Sequence, residues 1–507
     1  MNENTTAERP VPGSSLLGMS SPGTEPGTVG HKKTTVRFWI LVATNIVLTI
    51  GLFTSQSNQA TGLWSIGLMV AMMLLGLPIG VALSLASVAG LLHVSGSAAV
   101  INVMSSAPFS ASSNWSMSVL PMFILMGFLL TQSGLTQRLY RATHLWFGWL
   151  PGGLAIGTTA AGAGLSAVTG STIGMTYALG QAGIPEMLKA GYDRRVAVGS
   201  ILISGLSGHL IPPSILLVVY AGVVSVPVGP QLLAGVVPGL AISALFVLVF
   251  LVMGIAIPKT MGRGKDVQRI QEDITWRERV MSLLGLWGLP LIMIVLFGGL
   301  FTGYFTPTEA GAAAAFMSLL LAMFYARRHG PVKQVANSLV QTARSTAGIF
   351  LILIGAEMLT RMMAVTGIAG GVTDFILELN LSRFWFLVAL IVLYIFMGMF
   401  FDTMSMILLT VPLLMPALET YDISLLWFGV FLVILGEIGM ITPPVGVLAY
   451  VIYNLTKRKE INQGVKITLN DVFMSLLWFL PFAIVFLIIL IFWPEIATWL
   501  PSISSAS

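Results

Sequence analysis

The chain has 507 residues, is 56% hydrophobic and only 9% charged, and has a mean hydropathy of +0.91. That composition excludes a soluble single-core domain and points to a protein that crosses a membrane many times. The net charge of +5 is small, and its Lys and Arg gather in loops, which marks topology rather than nucleic-acid binding; zero Cys excludes disulfides and thiolate metal sites.

Residues 1–36 are rich in Gly, Pro, Ser, Thr and Glu and are predicted to form a disordered cytoplasmic tail. The first apolar run starts near Phe38, behind Lys32, Lys33 and Arg37. That is far from the terminus for a cleaved leader, so an uncleaved anchor helix over 37–56 is predicted. A first repeat is assigned to 61–257. It opens with two short helices turning at Gly76-Leu-Pro-Ile-Gly80, followed by small, uncharged residues at 95–114. A helix at 115–134 and an amphipathic arm carrying Arg138 and Arg141 come next. The arms 152–168 and 173–187 are too short to cross a bilayer separately, and they flank the polar Thr169-Gly-Ser-Thr172. This predicts a re-entrant hairpin with its tip at mid-membrane. After the basic loop Lys189 to Arg195 come a broken helix at 197–223 and a helix at 231–257.

A main cytoplasmic loop is read at 258–280, with Lys259, Arg263, Lys265, Arg269, Arg277 and Arg279. The second repeat, 281–495, runs through the same order. Helices at 281–304 and 308–326 meet at Thr306-Pro-Thr-Glu309. A helix at 343–365, an arm to about 381, a hairpin at 382–417 around Asp402-Thr403, a broken helix at 425–453 and a last helix at 470–493 complete it.

The duplication is explicit in one stretch. Gly436-Glu-Ile-Gly-Met-Ile-Thr-Pro-Pro444 repeats the G-x-x-G-x-x-x-P-P pattern of Gly205-Leu-Ser-Gly-His-Leu-Ile-Pro-Pro213 at an offset of 231 residues. The same offset carries Ser171-Thr172 onto Asp402-Thr403 and Pro185 onto Pro416. One such stretch alone is as well explained by a proline kink. Paired interruptions at corresponding positions point instead to a transporter binding site. Five crossings per half invert the second half. The basic loops 258–280, Arg327 to Lys333 and Lys457 to Lys466 then share one side, with the N-terminus cytoplasmic and the C-terminus periplasmic. The fold class expected is therefore an all-α polytopic membrane protein of two inverted-topology repeats. Each repeat has a re-entrant hairpin and an interrupted helix.

No catalytic constellation is present: there is no H-E-x-x-H and no phosphate-binding G-x-x-x-x-G-K-[ST]. The chain is not read as an enzyme, and no cofactor is expected beyond Na⁺ as coupling ion. Na⁺ is a hard cation that takes hydroxyl and carbonyl oxygens at helix breaks. The candidate ligands are Thr169, Ser171 and Thr172 at the first tip, Asp402 and Thr403 at the second, and the break residues Gly208, Ile211, Pro213, Gly439, Thr442 and Pro444. Back-bonding of Ser and Thr to the preceding turn is the alternative. Substrate contacts are assigned to Ser171, Ser214, Asp402 and Arg361. Asp402 sits between apolar arms that show no structural need for charge. Arg361 also stands four residues from Glu357, which suits an intrahelical ion pair. Glu437 has Leu206 as its repeat partner, so it is not a duplicated ligand; it is read as accepting from loop amides. His209 is read as a satisfied loop histidine rather than a proton relay.

The combined motifs resemble the large membrane subunit (DctM-like) of tripartite ATP-independent periplasmic (TRAP) transporters. They are Leu150-Pro-Gly-Gly-Leu154 with Val168-Thr-Gly-Ser-Thr172, Ala190-Gly-Tyr-Asp193, Ile211-Pro-Pro-Ser214, Phe305-Thr-Pro-Thr-Glu-Ala310, Gly398-Met-Phe-Phe-Asp-Thr403 and Glu437 to Gly446. The resemblance covers about 61–495. It implies Na⁺-driven uptake of organic acids delivered by a soluble periplasmic binding protein, a small four-helix membrane subunit, and elevator motion in a bacterial inner membrane. One extra helix before the match is too little for four, so the small subunit is expected as a separate chain. Thr169 and Thr172 stand where the family has serines. A self-sufficient carboxylate carrier and a channel are the competing functions.

Overall fold

The computed structural model describes residues 31–169, 172–262, 275–326, 330–444 and 446–506. The tail residues 1–30, most of the loop at 258–280, residues 327–329, Val445, Gly170 and Ser171 therefore lie outside the described residues. Everything described is helix and connection, with one isolated bridge between Tyr192 and Met261. Among these residues seven helices are long and apolar enough to cross a membrane, or up to nine if each of two bent pairs is one span. The chain is a multi-pass membrane protein.

Helix α1 (His31–Thr54) packs on α2 (Asn58–Leu75), and α2 turns at Gly76 into α3 (Ile79–Ser112). Gly76 has φ +98°, a left-handed conformation that favours glycine and stops α2 before Pro78. Gly96 interrupts α3 with φ +76°, which divides it close to the 94/95 boundary seen in the sequence. Then come α4 (Val119–Gln132), bent from the arm helix α5 (Leu135–Phe147) by 70°. The first hairpin is α6 (Gly153–Thr169) and α7 (Thr172–Lys189); the first broken helix is α8 (Arg194–Ser204) and α9 (Ile215–Val223), followed by α10 (Val228–Ala256).

The helix expected from 281 starts earlier than the sequence suggests. α11 (Trp276–Leu284) already includes Arg277 and Arg279 and is bent by 47° from α12 (Gly288–Phe301). α13 (Pro307–Ala326) opens on a capping arrangement: Glu309 accepts from the Thr306 amide at 2.8 Å, and the Glu309 amide donates to the Thr306 hydroxyl at 3.3 Å. α14 (Pro331–Thr366) extends twelve residues before the expected start at 343 and takes in Lys333. α15 (Ile368–Glu378) leads to the second hairpin, α16 (Arg383–Gly398) and α17 (Thr403–Thr420). The second broken helix is α18 (Leu425–Ile441) and α19 (Val447–Leu455). The short α20 (Lys459–Asn462), α21 (Leu469–Phe492) and a terminal amphipathic α22 (Glu495–Ala506) follow; α22 packs on α10 and was not expected from the sequence.

Two apolar clusters organise these helices. A smaller one joins α2, α3 and α14 through Met69, Leu83, Leu359 and Met362. Here Gly80 and Gly355 let two backbones meet: a Cβ on either would lie 2.7 Å from a carbonyl oxygen of the other helix. Close approach at small residues is how helices associate where apolar burial offers little. The larger cluster is centred on α18, whose residues from Trp427 to Ile441 are all buried.

The basic loops are joined to one another. The Asp193 amide donates to the Thr260 carbonyl at 2.9 Å, and Arg194 donates to the Lys466 carbonyl at 3.0 Å. Arg194 and Arg195 lie 3.0 and 3.5 Å from the buried carboxylate of Asp471 at the start of α21. Trp146 on the arm helix donates to the Arg279 carbonyl at 3.0 Å.

Candidate transport site

Each hairpin tip is placed by the repeated G-x-x-G of the broken helix beside it. A Cβ at Gly205 would meet Thr172 Cγ2 at 3.0 Å, and one at Gly436 would meet Thr403 Oγ1 at 2.6 Å. The first glycine of each motif thus receives the threonine that begins the second arm of its own hairpin. The second glycine receives the first arm. A Cβ at Gly208 would overlap the Ser166 side chain, and Cβ atoms at Gly439 and Gly398 would each lie 2.6 Å from the other residue's Cα. Glycine is needed at these positions because backbone meets backbone or a side chain too closely for a methyl. Pro212–Pro213 and Pro443–Pro444, at the ends of the two motifs, both carry cis peptide bonds.

The two halves meet at one carboxylate. Glu437, 1% exposed, accepts from the Thr172 hydroxyl at 3.1 Å through Oε2 and from the Thr403 hydroxyl at 3.3 Å through Oε1. His209 Nδ1 lies 3.2 Å from Glu437 Oε1 and 2.8 Å from Thr172 Oγ1. Thr172, His209 and Thr403 are 5%, 4% and 2% exposed, so the whole knot is shielded from solvent. A buried carboxylate is costly unless several donors satisfy it, and here both tips and one break supply them. Glu437 was read from sequence as accepting from loop amides, and instead accepts from these distant hydroxyls; His209, read as a satisfied loop histidine, contacts Thr172 and Glu437. The available signal was the asymmetry of the repeat, since their duplicated positions hold Leu206 and Met440.

The other candidates fall into place differently. Asp402 is the N-cap of α17. It accepts from the Met404 and Ser405 amides at 3.1 and 3.3 Å, and its other oxygen accepts from the Ser405 hydroxyl. A carboxylate there also favours the positive end of the helix, so the charge does have a structural use. Ser214 is the buried N-cap of α9, accepting from the Leu217 amide at 3.2 Å. Thr442 ends α18 and donates back to the Ile438 carbonyl at 2.6 Å, which leaves its oxygen lone pairs for another partner. Gly208 and Gly439 are close-packing positions as described, while Ile211 and Pro213 lie in the first break and Pro444 in the second, where it is exposed. Ser171 and the side chain of Thr169 are outside the described residues. Arg361 is not brought to the tips: it is 3.0 Å from Glu357 and donates to Ser106 at 2.5 Å and Ser110 at 3.0 Å on α3. Its guanidinium joins α14 to α3.

A feature the sequence did not flag is Ser166, 1% exposed on α6, whose Oγ has no hydrogen-bond partner among the described residues and which faces Gly208. An orphaned buried oxygen beside a helix break fits a cation that takes hydroxyl and carbonyl ligands.

The family model described as "Tripartite ATP-independent periplasmic transporter, DctM component" matches residues 66–496. The chain belongs to this family. Among its relatives, the C4-dicarboxylate TRAP transporter large permease protein DctM of Vibrio cholerae is 30% identical over 456 residues, covering 86% of this chain and 96% of that one. The corresponding DctM protein of Rhodobacter capsulatus is 31% identical over 405 residues, covering 77% of this chain and 89% of that one. Among solved structures, the YdaH transporter of Alcanivorax borkumensis, described as having an unusual topology, aligns with a TM-score of 0.58 at 14% identity. The alignment covers 87% of this chain and 98% of that one. At that identity the likeness speaks for the fold. The DctM match takes in both hairpins, both breaks and the Glu437 knot.

Proposed function

We propose that this DctM-family chain is the large permease subunit of a Na⁺-coupled secondary transporter. It imports organic acids, carboxylates such as C4-dicarboxylates, sialic or sugar acids, handed over by a periplasmic binding protein. The observation that supports this most is the convergence of two hairpin tips and two helix breaks, from separate halves of a family member, on one buried polar knot. Na⁺ takes oxygens from Ser166, Thr169, Ser171 and Thr172 on one side and from Asp402, Thr403 and Thr442 on the other, with break carbonyls near Gly208, Ile211, Pro213, Gly439 and Pro444. Ser171 and Ser214 serve the substrate carboxylate, and Asp402 accepts from a substrate hydroxyl. Arg361, held by Glu357, Ser106 and Ser110, is assigned to the scaffold rather than to the substrate.

The two repeats are inverted, and the hairpins with their broken helices move as an elevator against α2, α3 and α14. The domain limits proposed are the tail, the anchor helix, a first repeat to 257, a loop to 280 and a second repeat to 495. The joined basic loops favour a cytoplasmic face in a bacterial inner membrane, with the N-terminus inside and the C-terminus outside. A small four-helix membrane subunit is the other membrane partner. Proteoliposomes holding both membrane subunits test this reading: uptake of candidate acids is expected only when purified binding protein is added. Uptake at the same rate without binding protein favours a self-sufficient carrier, and unitary currents favour a channel.

A further inference from the structure

We propose that Glu437 is a positioning residue that ties the two hairpin tips together and turns their hydroxyl oxygens toward the cation. Thr172 and Thr403 are related by the repeat, each being the first residue of a second hairpin arm. Both give their single hydroxyl proton to the same carboxylate, one to each oxygen. A hydroxyl has one donor and two lone pairs, so fixing where the proton goes fixes where the lone pairs point. With the Thr172 proton committed to Glu437, the short contact to His209 Nδ1 makes the imidazole the donor there. It clamps the same threonine from the first break.

The asymmetry of the repeat makes this work. The first-half position equivalent to Glu437 is Leu206, and the second-half position equivalent to His209 is Met440. One carboxylate therefore serves two related tips, which no pair of duplicated residues meeting across the repeat would do. Several other polar groups on the surrounding helices are engaged elsewhere, while Ser166 Oγ on α6 and Thr176 Oγ1 on α7 have no partner among the described residues. Asp402 turns to its own helix start, Tyr394 to Thr410, and Tyr220 to the Leu425 carbonyl at 2.7 Å.

The proposal rests on the cation reading for its transport consequence, and two measurements on the purified membrane complex separate them. In the first, melting without Na⁺ is followed for Thr172→Val, Thr403→Val and the double variant. A tie through one carboxylate gives clearly non-additive shifts, and the non-additivity is expected to vanish in a Glu437→Leu background. In the second, the Na⁺ concentration for half-maximal thermal stabilisation and for half-maximal uptake is measured in Glu437→Gln. Its amide accepts from one threonine but presents N–H to the other, turning that hydroxyl round. Half-saturation is expected to rise about tenfold in both readouts with maximal uptake nearly kept, a split that a merely structural residue would not give. Glu437→Asp, too short to reach both tips, should show the same split if Gln reduces folding. Additive melting shifts, or unchanged Na⁺ half-saturation in both variants, overturn the proposal. A wild-type complex with no response to Na⁺ overturns the cation reading and the transport role of Glu437, while non-additive melting would still establish the tie.

Discussion

Asp402→Asn is expected to leave the protein at normal membrane abundance while uptake falls roughly ten- to a hundredfold. Asn caps helices about as well as Asp, so the amides of Met404 and Ser405 keep an acceptor and α17 keeps its start. What the substitution removes is the charge, together with the oxygen that takes the Ser405 hydroxyl. A hydrogen bond to a charged group contributes about 1.5–3 kcal/mol, which converts to that range in an equilibrium constant. At the mid-membrane position proposed for the tip, insertion of an acidic residue costs about 2.5–3.5 kcal/mol. Two amides and a hydroxyl offset part of this cost; under the proposed function a bound cation offsets the remainder. Asp402→Ala separates the two uses, because it loses the cap as well, at about 1 kcal/mol, and should lower thermal stability where Asn does not. Near wild-type uptake with unchanged Na⁺ dependence in Asp402→Asn would place the site elsewhere.

Gly398→Leu is expected to remove most folded protein before transport can be measured. A Cβ at 398 would stand 2.6 Å from Gly439 Cα, with the same distance in reverse. The obstacle on each side is main chain, so no rotamer change relieves it. Overpacking costs about 1–3 kcal/mol where side chains can shift; here α16 and α18 must part along a fully buried helix. Glu437, two residues from Gly439, would move with them. Membrane abundance should fall severalfold and the melting temperature should drop. Gly348→Leu is the control, since nothing lies within 4 Å of its Cβ position. Equal abundance of the two variants would show that the crossing is looser than described.

Much of this was legible in the sequence, for reasons that can be named. The helix breaks showed because Gly and Pro stand inside apolar runs, and their pairing showed because both motifs share one offset. The Glu357–Arg361 pair showed because four residues is one helical turn. What did not show depends on distance through space. Thr172 and Glu437 are 265 residues apart, and nothing local to either names the other. The cap at Asp402 was legible in principle, as Asp followed by Thr-Met-Ser before an apolar run, but the interest of a mid-membrane charge hid its ordinary use. The repeated glycines read as break formers; their closer role, receiving Thr172 and Thr403, appears only when hairpin and broken helix are packed together. The early starts of α11 and α14 lie in segments of mixed polarity, where hydropathy fades before the helix does.

Uptake of a radiolabelled acid into proteoliposomes of the complete complex, with the ion gradient as the only variable, tests the central claim most directly. An inward Na⁺ gradient without ATP is expected to drive accumulation, and replacing Na⁺ by K⁺ while a proton gradient is kept should reduce it to the level of empty vesicles. Undiminished accumulation on the proton gradient alone would contradict Na⁺ coupling at the paired tips.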